Sequence, residues 1–196
     1  MSTVKAKNHQ IGSDGTASNN FTIYQPSTPD GTIRIGQGVA GAITSDIVTI
    51  SSTGIKLAST AAPAFSAYAN AATSLTNGAF TKISFQVEDY DTNNNFASSR
   101  FTPTVAGYYQ VSAASNVSGG TTAELSIAVY KNGAGHRQGS DFITAGTQYS
   151  QSISTLVYCN GSTDYIEIYL YIAAAGKSTG SGDNSVWFNG AMVRSA

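Results

Sequence analysis

The sequence predicts an all-β protein, and three observations carry that prediction. Apolar residues alternate with polar ones in many short stretches, for example Ile83, Phe85 and Val87 against Lys82, Ser84 and Gln86. The 3.6-residue apolar period of a helix nowhere persists over about three turns. Turn residues cluster between the alternating stretches, most clearly at Asn132 and Gly133, both of which accept positive φ and favour a tight hairpin. About eight to ten strands joined by polar turns make a compact sandwich.

Taken in order, residues 1–60 differ from the remainder. Short extended stretches, "FTIYQ", "TIRIG", "DIVTIS" and "GIKLAS", alternate with turn clusters such as "PSTPDG". None is long enough to close a core alone. Several copies of the chain wound about one axis would supply the missing partners, whereas a loose tail is the plainer alternative. Residues 59–78 are rich in Ala, Ser and Thr, and they hold a linker and a first strand around Ala64 to Tyr68. From Ala79 onward the strand signals are dense: "FTKISFQV", "GYYQVSAASNV", "AELSIAVYKNG", two strands around "NGSTD", and a closing "SVWFNGAMV".

Composition excludes several function classes. The 196 residues carry a net charge of -1 with only 11% charged residues, and the basic ones are scattered, so a nucleic-acid partner is not expected. Hydrophobic residues at 41% are enough for a core despite the low charge. No stretch reaches the roughly 18 apolar residues that span a bilayer, and no apolar signal-peptide run follows the N-terminus, which leads us to expect folding in a cytoplasm. The single cysteine, Cys159, shares parity with Ile153, Thr155 and Val157 and reads as a small core hydrophobe. Asn20, Asn116 and Asn160 open Asn-x-Ser/Thr triplets, which chance accounts for in so polar a chain.

Residues 163–173 pose the sharpest question. Ile166, Ile168, Leu170 and Ile172 occupy one strand face and belong in the core. The opposite face carries Tyr165, Glu167, Tyr169 and Tyr171. At roughly 150–250 Å² of buriable area each, three tyrosines match the largest apolar patch of an ordinary monomer. Either this row is a subunit interface, or the phenols are partly exposed or covered by a loop. Glu167 in such a row needs a donor from a neighbouring subunit or a place at the rim.

The order Phe85, Tyr90-Asp91, Phe101, Gly107 and Tyr109, within "F…YD…FTPTVAGYYQV", resembles the central signature of the complement 1q and tumour necrosis factor superfamily. "VYKNG" resembles that family's "L-x-x-N-G" hairpin, and "VWFNGAMV" its terminal strand. The resemblance covers about residues 64–196, within a head domain of residues 61–196, and implies a ten-stranded jelly roll that forms a compact homotrimer. Within it, Gly107 would make a tight turn, Pro103 would stand at an edge or strand start, and Tyr109 and Val111 would face inward. Departures exist: the family's "P-G" is Ala106-Gly107 here, and its next aromatic positions are Val111 and Ala113. Residues 1–60 resemble N-terminal segments of bacteriophage tail fibres. Together the two resemblances imply a trimeric phage virion appendage, a tail fibre or receptor-binding protein whose arm attaches to other virion proteins. Its head would recognise a host-surface glycan or protein on the released particle. A capsid decoration protein is the alternative, and a monomeric bacterial carbohydrate-binding module is a third reading.

No enzymatic constellation emerges. His9 lies in the arm and His136 in the "GAGHRQGSD" loop, without nucleophile or metal-ligand spacing. "GQGVAG" lacks the helix and lysine of a phosphate loop. "DYDTN" has calcium-loop order but Asn94 and Arg100 where such a loop needs Gly and Glu; a looser Ca2+ site from Glu88, Asp89 and Asp91 competes with a solvated turn. No cofactor is otherwise expected. The loops holding Asn93, Asn94 and Asn95, and His136, Arg137 and Asp141, are the candidate ligand-recognising positions. Trp187 alternates against Val186 and Phe188 and is open to a core, interface or glycan role.

Overall fold

The computed structural model describes residues 8–40, 42–57, 62–118, 123–143 and 148–196. The chain forms two compact units, Met1–Ala61 and Ala62–Ala196. The first is a five-stranded antiparallel meander, with β1 (Asn8–Ile11), β2 (Phe21–Tyr24), β3 (Ile33–Val39), β4 (Ala42–Ser51) and β5 (Gly54–Leu57) paired in chain order. Asn20 organises the first connection: its Oδ1 accepts from the Asp14 amide at 2.9 Å and its Nδ2 donates to the Asp14 carbonyl at 2.8 Å.

Residues paired across antiparallel strands share a sheet face. Ile23 pairs with Ile35, Ile35 with Val48, Ile33 with Ile50 and Ile50 with Ile55, so one face of the meander is a field of branched apolar side chains. The other face is closed by polar contacts. Arg34 donates to Asp46 at 2.8 Å, Tyr24 donates its hydroxyl proton to the same carboxylate, and the Thr22 hydroxyl reaches the Gly38 carbonyl at 3.0 Å. Gly36 is required there, because a Cβ at that position would lie 2.4 Å from the Ile43 side chain.

The second unit contains β6 (Ala64–Tyr68), β7 (Phe80–Lys82), β8 (Val87–Asp91), β9 (Phe96–Ala97), β10 (Arg100–Phe101), β11 (Ala106–Ser118), β12 (Ala123–Lys131), β13 (Ala134–Ile143), β14 (Gln148–Asn160), β15 (Ile166–Ile172) and β16 (Trp187–Ser195). One sheet has the order β13-β12-β15-β10-β9, with β7 also on β15; the other has β14-β11-β16-β6-β8. This is a jelly-roll sandwich. Ile166, Ile168, Leu170 and Ile172 are buried in it as the alternation requires, and Val186 and Phe188 likewise. A stacked group of rings anchors the interior: Phe65 lies 4.3 Å from Phe101 and 5.0 Å from Phe96 by ring centroid, with Phe188 edge-on at 4.8 Å. Tyr109 is fully buried, and its hydroxyl donates to the Val105 carbonyl at 2.6 Å.

The hairpin at Asn132 and Gly133 forms with both residues at positive φ, 54° and 78°. Three local expectations change. "FTKISFQV" is not one strand: β7 pairs with β15 and β8 with β6, so residues 83–86 cross between the sheets and carry Ile83 and Phe85 into the core. "GAGHRQGSDF" is not a loop but the edge strand β13, paired along β12 through its backbone. It lacks apolar alternation because an edge strand over a solvated surface needs none. Gly107 makes no turn. It lies inside β11, where a Cβ would meet the Arg194 carbonyl of β16 at 2.5 Å, so its missing side chain lets the two backbones approach.

Candidate functional site

The tyrosine row of β15 is satisfied from within its own chain. Glu167 is only 2% exposed, so it stands at no rim, and donors of its own chain reach it. Lys82 on β7 donates to Oε1 at 2.6 Å, Arg100 on β10 donates to the same oxygen at 2.9 Å, and the Tyr169 hydroxyl reaches Oε2 at 3.3 Å. Burial pushes the Glu167 carboxyl up, but the hydrogen bonds and charges of Lys82 and Arg100 outweigh it and hold the group below its ordinary value. Tyr169 shifts upward, chiefly through burial and then through the neighbouring Glu167 charge.

The rings on this face cover one another. Tyr130 stacks on Tyr169 at 4.0 Å, Phe80 packs against Tyr130 at 5.7 Å and Tyr171 at 5.5 Å, and the Arg100 guanidinium lies 3.8 Å above the Tyr165 ring. Tyr169 and Tyr171 of β15 and the preceding Tyr165 are all half-buried. The cover comes from β7, β10 and β12, whose contribution one strand's parity cannot reveal.

The uncovered apolar surface of the head lies on the other sheet. There Tyr108 on β11 pairs with Tyr158 on β14, their rings 5.4 Å apart, and Leu156 and Val193 extend the patch. Exposure is 40% for Tyr108, 48% for Leu156, 43% for Tyr158 and 59% for Val193. With Arg194, Ser195 and Ala196 they line an open groove of about 670 Å³. Beside the patch, along β11 and β14, this face is polar: Ser112 and Ser154 are bonded at 2.8 Å and Gln110 donates to Ser154 at 2.8 Å. Trp187, beside Tyr68, also sits on this sheet, half-buried and outside the core. Sequence reasoning missed the patch, although a signal existed. Once Val157 and Cys159 are assigned inward, Leu156 and Tyr158 must point out.

The remaining signature and loop positions have defined places. Phe85 and Phe101 are core, whereas Tyr90 is 53% exposed. Asp91 braces the turn after β8, accepting from the Asn93 amide at 3.2 Å and the Phe96 amide at 2.6 Å. Asn95 is buried, bonded to the Asn93 carbonyl and Thr104, and so is structural; Asn94 is exposed with φ 52°. Asp89 accepts from Ser66 at 2.8 Å. The carboxylates of Glu88, Asp89 and Asp91 do not converge: among the described residues no three His, Cys, Asp or Glu side chains are grouped to hold a metal ion. His136 and Arg137 line a cleft of about 260 Å³ beside Tyr130, with Gln138. Burial, then the Arg137 and Lys131 charges, lower the His136 pKa. The Asp141 side chain lies outside the described residues. Cys159 is fully buried, and burial pushes its thiol up to about 11.

No protein-family model matches this chain, and no curated protein matches it. Solved structures do. The globular domain of zebrafish complement 1qA matches with a TM-score of 0.53 at 18% identity, over 68% of this chain and 98% of that one. The head has the jelly-roll fold of complement 1q and tumour necrosis factor domains. Murine APRIL at pH 5.0 matches with a TM-score of 0.55 at 10% identity, over 67% of this chain and 99% of that one. Eiger, a tumour necrosis factor from S. frugiperda, matches with a TM-score of 0.53 at 8% identity, over 69% of this chain and 94% of that one. At such identities the likeness is one of fold.

Proposed function

We propose that the chain is a homotrimeric phage virion appendage that joins the particle through its first 61 residues and meets the host surface with its head. The observation that carries the reading is the patch of Tyr108, Leu156, Tyr158 and Val193. It is an exposed apolar surface bordered by the hydroxyls of Ser112 and Ser154, and burial between sister chains would remove it from water. The complement 1q-like fold supports a role in recognition, and the resemblance of the N-terminal segment to tail-fibre arms supports the virion setting. Three heads presented together would multiply a weak single-site affinity for a host glycan or protein.

Two measurements test this. Light scattering of the full chain is expected to give the mass of a trimer or of two trimers joined. Fluorescently labelled protein is expected to decorate intact cells of susceptible bacterial strains, with binding lost on replacing the turn residues Asn93 and Asn94 by alanine. A well-folded monomer, or equal binding to resistant strains, would overturn the proposal.

A further inference from the structure

The N-terminal meander is a single-layer sheet with one apolar face. The outward side chains of Ile11, Phe21, Ile23, Ile33, Ile50 and Ile55 are each between 38% and 70% exposed. They are contiguous by register: Ile11 pairs with Phe21, Ile33 with Ile50, and Ile50 with Ile55, while Ile23 reaches Val48 through Ile35. A sheet apolar on one side is stable only when a second layer covers that side.

We propose that this face is a self-association surface whose occupant is the same face of a sister chain. Two observations choose that occupant. The first is charge. Among the described strand positions of this face there is no Asp, Glu, Lys or Arg, because Arg34, Asp46 and the Lys56 position fall on the opposite side of the sheet; its polar positions are His9 opposite Ile23, Gln37 opposite Phe21 and Ser45 opposite Gln37. A charged partner would find no opposite charge here and would lose hydration, whereas an identical face without carboxylate, lysine or arginine loses far less. The second is area. At about 200 Å² for a fully exposed large apolar residue, the exposures amount to on the order of 600 Å² per copy. Two such faces then reach about the 1,200 Å² at which specific interfaces begin. The patch on one chain is already at the upper limit for an ordinary monomer.

The surface is independent of the Tyr108 and Leu156 patch on the head, so the two can be tested apart. Cysteine is introduced into the full chain at Ile23→Cys or Ile33→Cys, both conservative apolar exchanges, with Thr49→Cys as the control on the opposite face. Cys159 is buried and silent. A bis-maleimide of about 10 Å reach, the spacing of facing sheets, is then applied. Covalent dimers are expected at positions 23 and 33 but not at 49, and they are expected to persist when the head carries Leu156→Glu. Single-ended maleimide is expected to label positions 23 and 33 about tenfold more slowly than the unfolded chain. As a check that needs no variant, hydroxyl-radical oxidation of Phe21 in the unmodified chain is expected to fall on self-association. The proposal is overturned by free labelling without crosslinks, by equal crosslinking at position 49, or by Phe21 oxidation that is independent of protein concentration. Loss of crosslinks at 23 and 33 only on Leu156→Glu would also overturn it, since the arm would then have no affinity of its own.

Discussion

The Glu167 carboxylate accepts a hydrogen bond from Lys82, 85 residues earlier in the chain, at 2.6 Å, and this contact ties β15 to β7 on the outer face of the sandwich. Arg100 shares the same oxygen. Lys82→Met leaves Glu167 with one cationic donor and is expected to cost about 2 kcal/mol. Removing both cations strands a buried charge and is expected to cost about 3–5 kcal/mol. The carboxyl is held below its ordinary value in the folded chain, so its contribution is complete above the unfolded value of about 4.3 and is lost as pH falls through the folded one. The urea midpoint difference between the parent and Glu167→Gln is therefore expected at pH 7 and to shrink at pH 3. A difference that does not change with pH would rule out the ion-pair account.

Gly107 faces the backbone of β16 at its nearest contact. A methyl group there would meet the Arg194 carbonyl at 2.5 Å and the Met192 sulfur at 3.0 Å, so β16 must move. Gly107→Ala is expected to destabilise the head by about 1–3 kcal/mol, read as a lower urea midpoint at unchanged slope. Gly78→Ala is the informative contrast: its φ of 69° strains any side chain, but no atom lies within 4 Å. Its cost is therefore expected to be backbone strain alone, about 1 kcal/mol.

Cys159 sits in the core with its thiol pushed up to about 11, first by burial. At pH 8 the native chain is expected to resist a maleimide while the urea-unfolded chain reacts at once. The labelling rate then reports opening of β14 from β11, the pairing in which Cys159 lies opposite Gly107. Rapid labelling of the native chain would show that this end of the sandwich opens freely.

Much of the head was legible because period-two alternation reports directly which side chains lie between two sheets. Ile166 to Ile172, Val129, Val157 and Phe188 all follow that rule, and the Asn132-Gly133 turn follows from φ alone. What stayed illegible depends on pairing between distant strands. Nothing local says that Lys82 and Arg100 arrive over Glu167, or that Phe80 and Tyr130 roof the tyrosines, so an internally covered face looked bare. Gly107 misled for the same reason, since the backbone it accommodates is 87 residues away at Arg194. The edge strand β13 was hidden because its pairing with β12 runs through the backbone, which leaves no side-chain pattern.

The two outer faces of the sandwich make opposite predictions about assembly. If sister chains meet on the Tyr108 patch, Leu156→Glu places a charge in a desolvated contact and is expected to convert the head's association to monomer, with far-ultraviolet circular dichroism unchanged. Tyr171→Ser removes a ring packed at 5.5 Å against Phe80 within one chain. It is expected to lower the urea midpoint by about 1–2 kcal/mol in stability while leaving the mass in solution unchanged. Light scattering and urea unfolding on both variants separate the cases, provided the N-terminal face is blocked by Ile23→Glu so that it cannot hold copies together. Should Tyr171→Ser dissociate the chain and Leu156→Glu leave it intact, the β15 face is the interface after all. The packing of Phe80, Tyr130 and Tyr169 would then have to continue across a neighbouring copy.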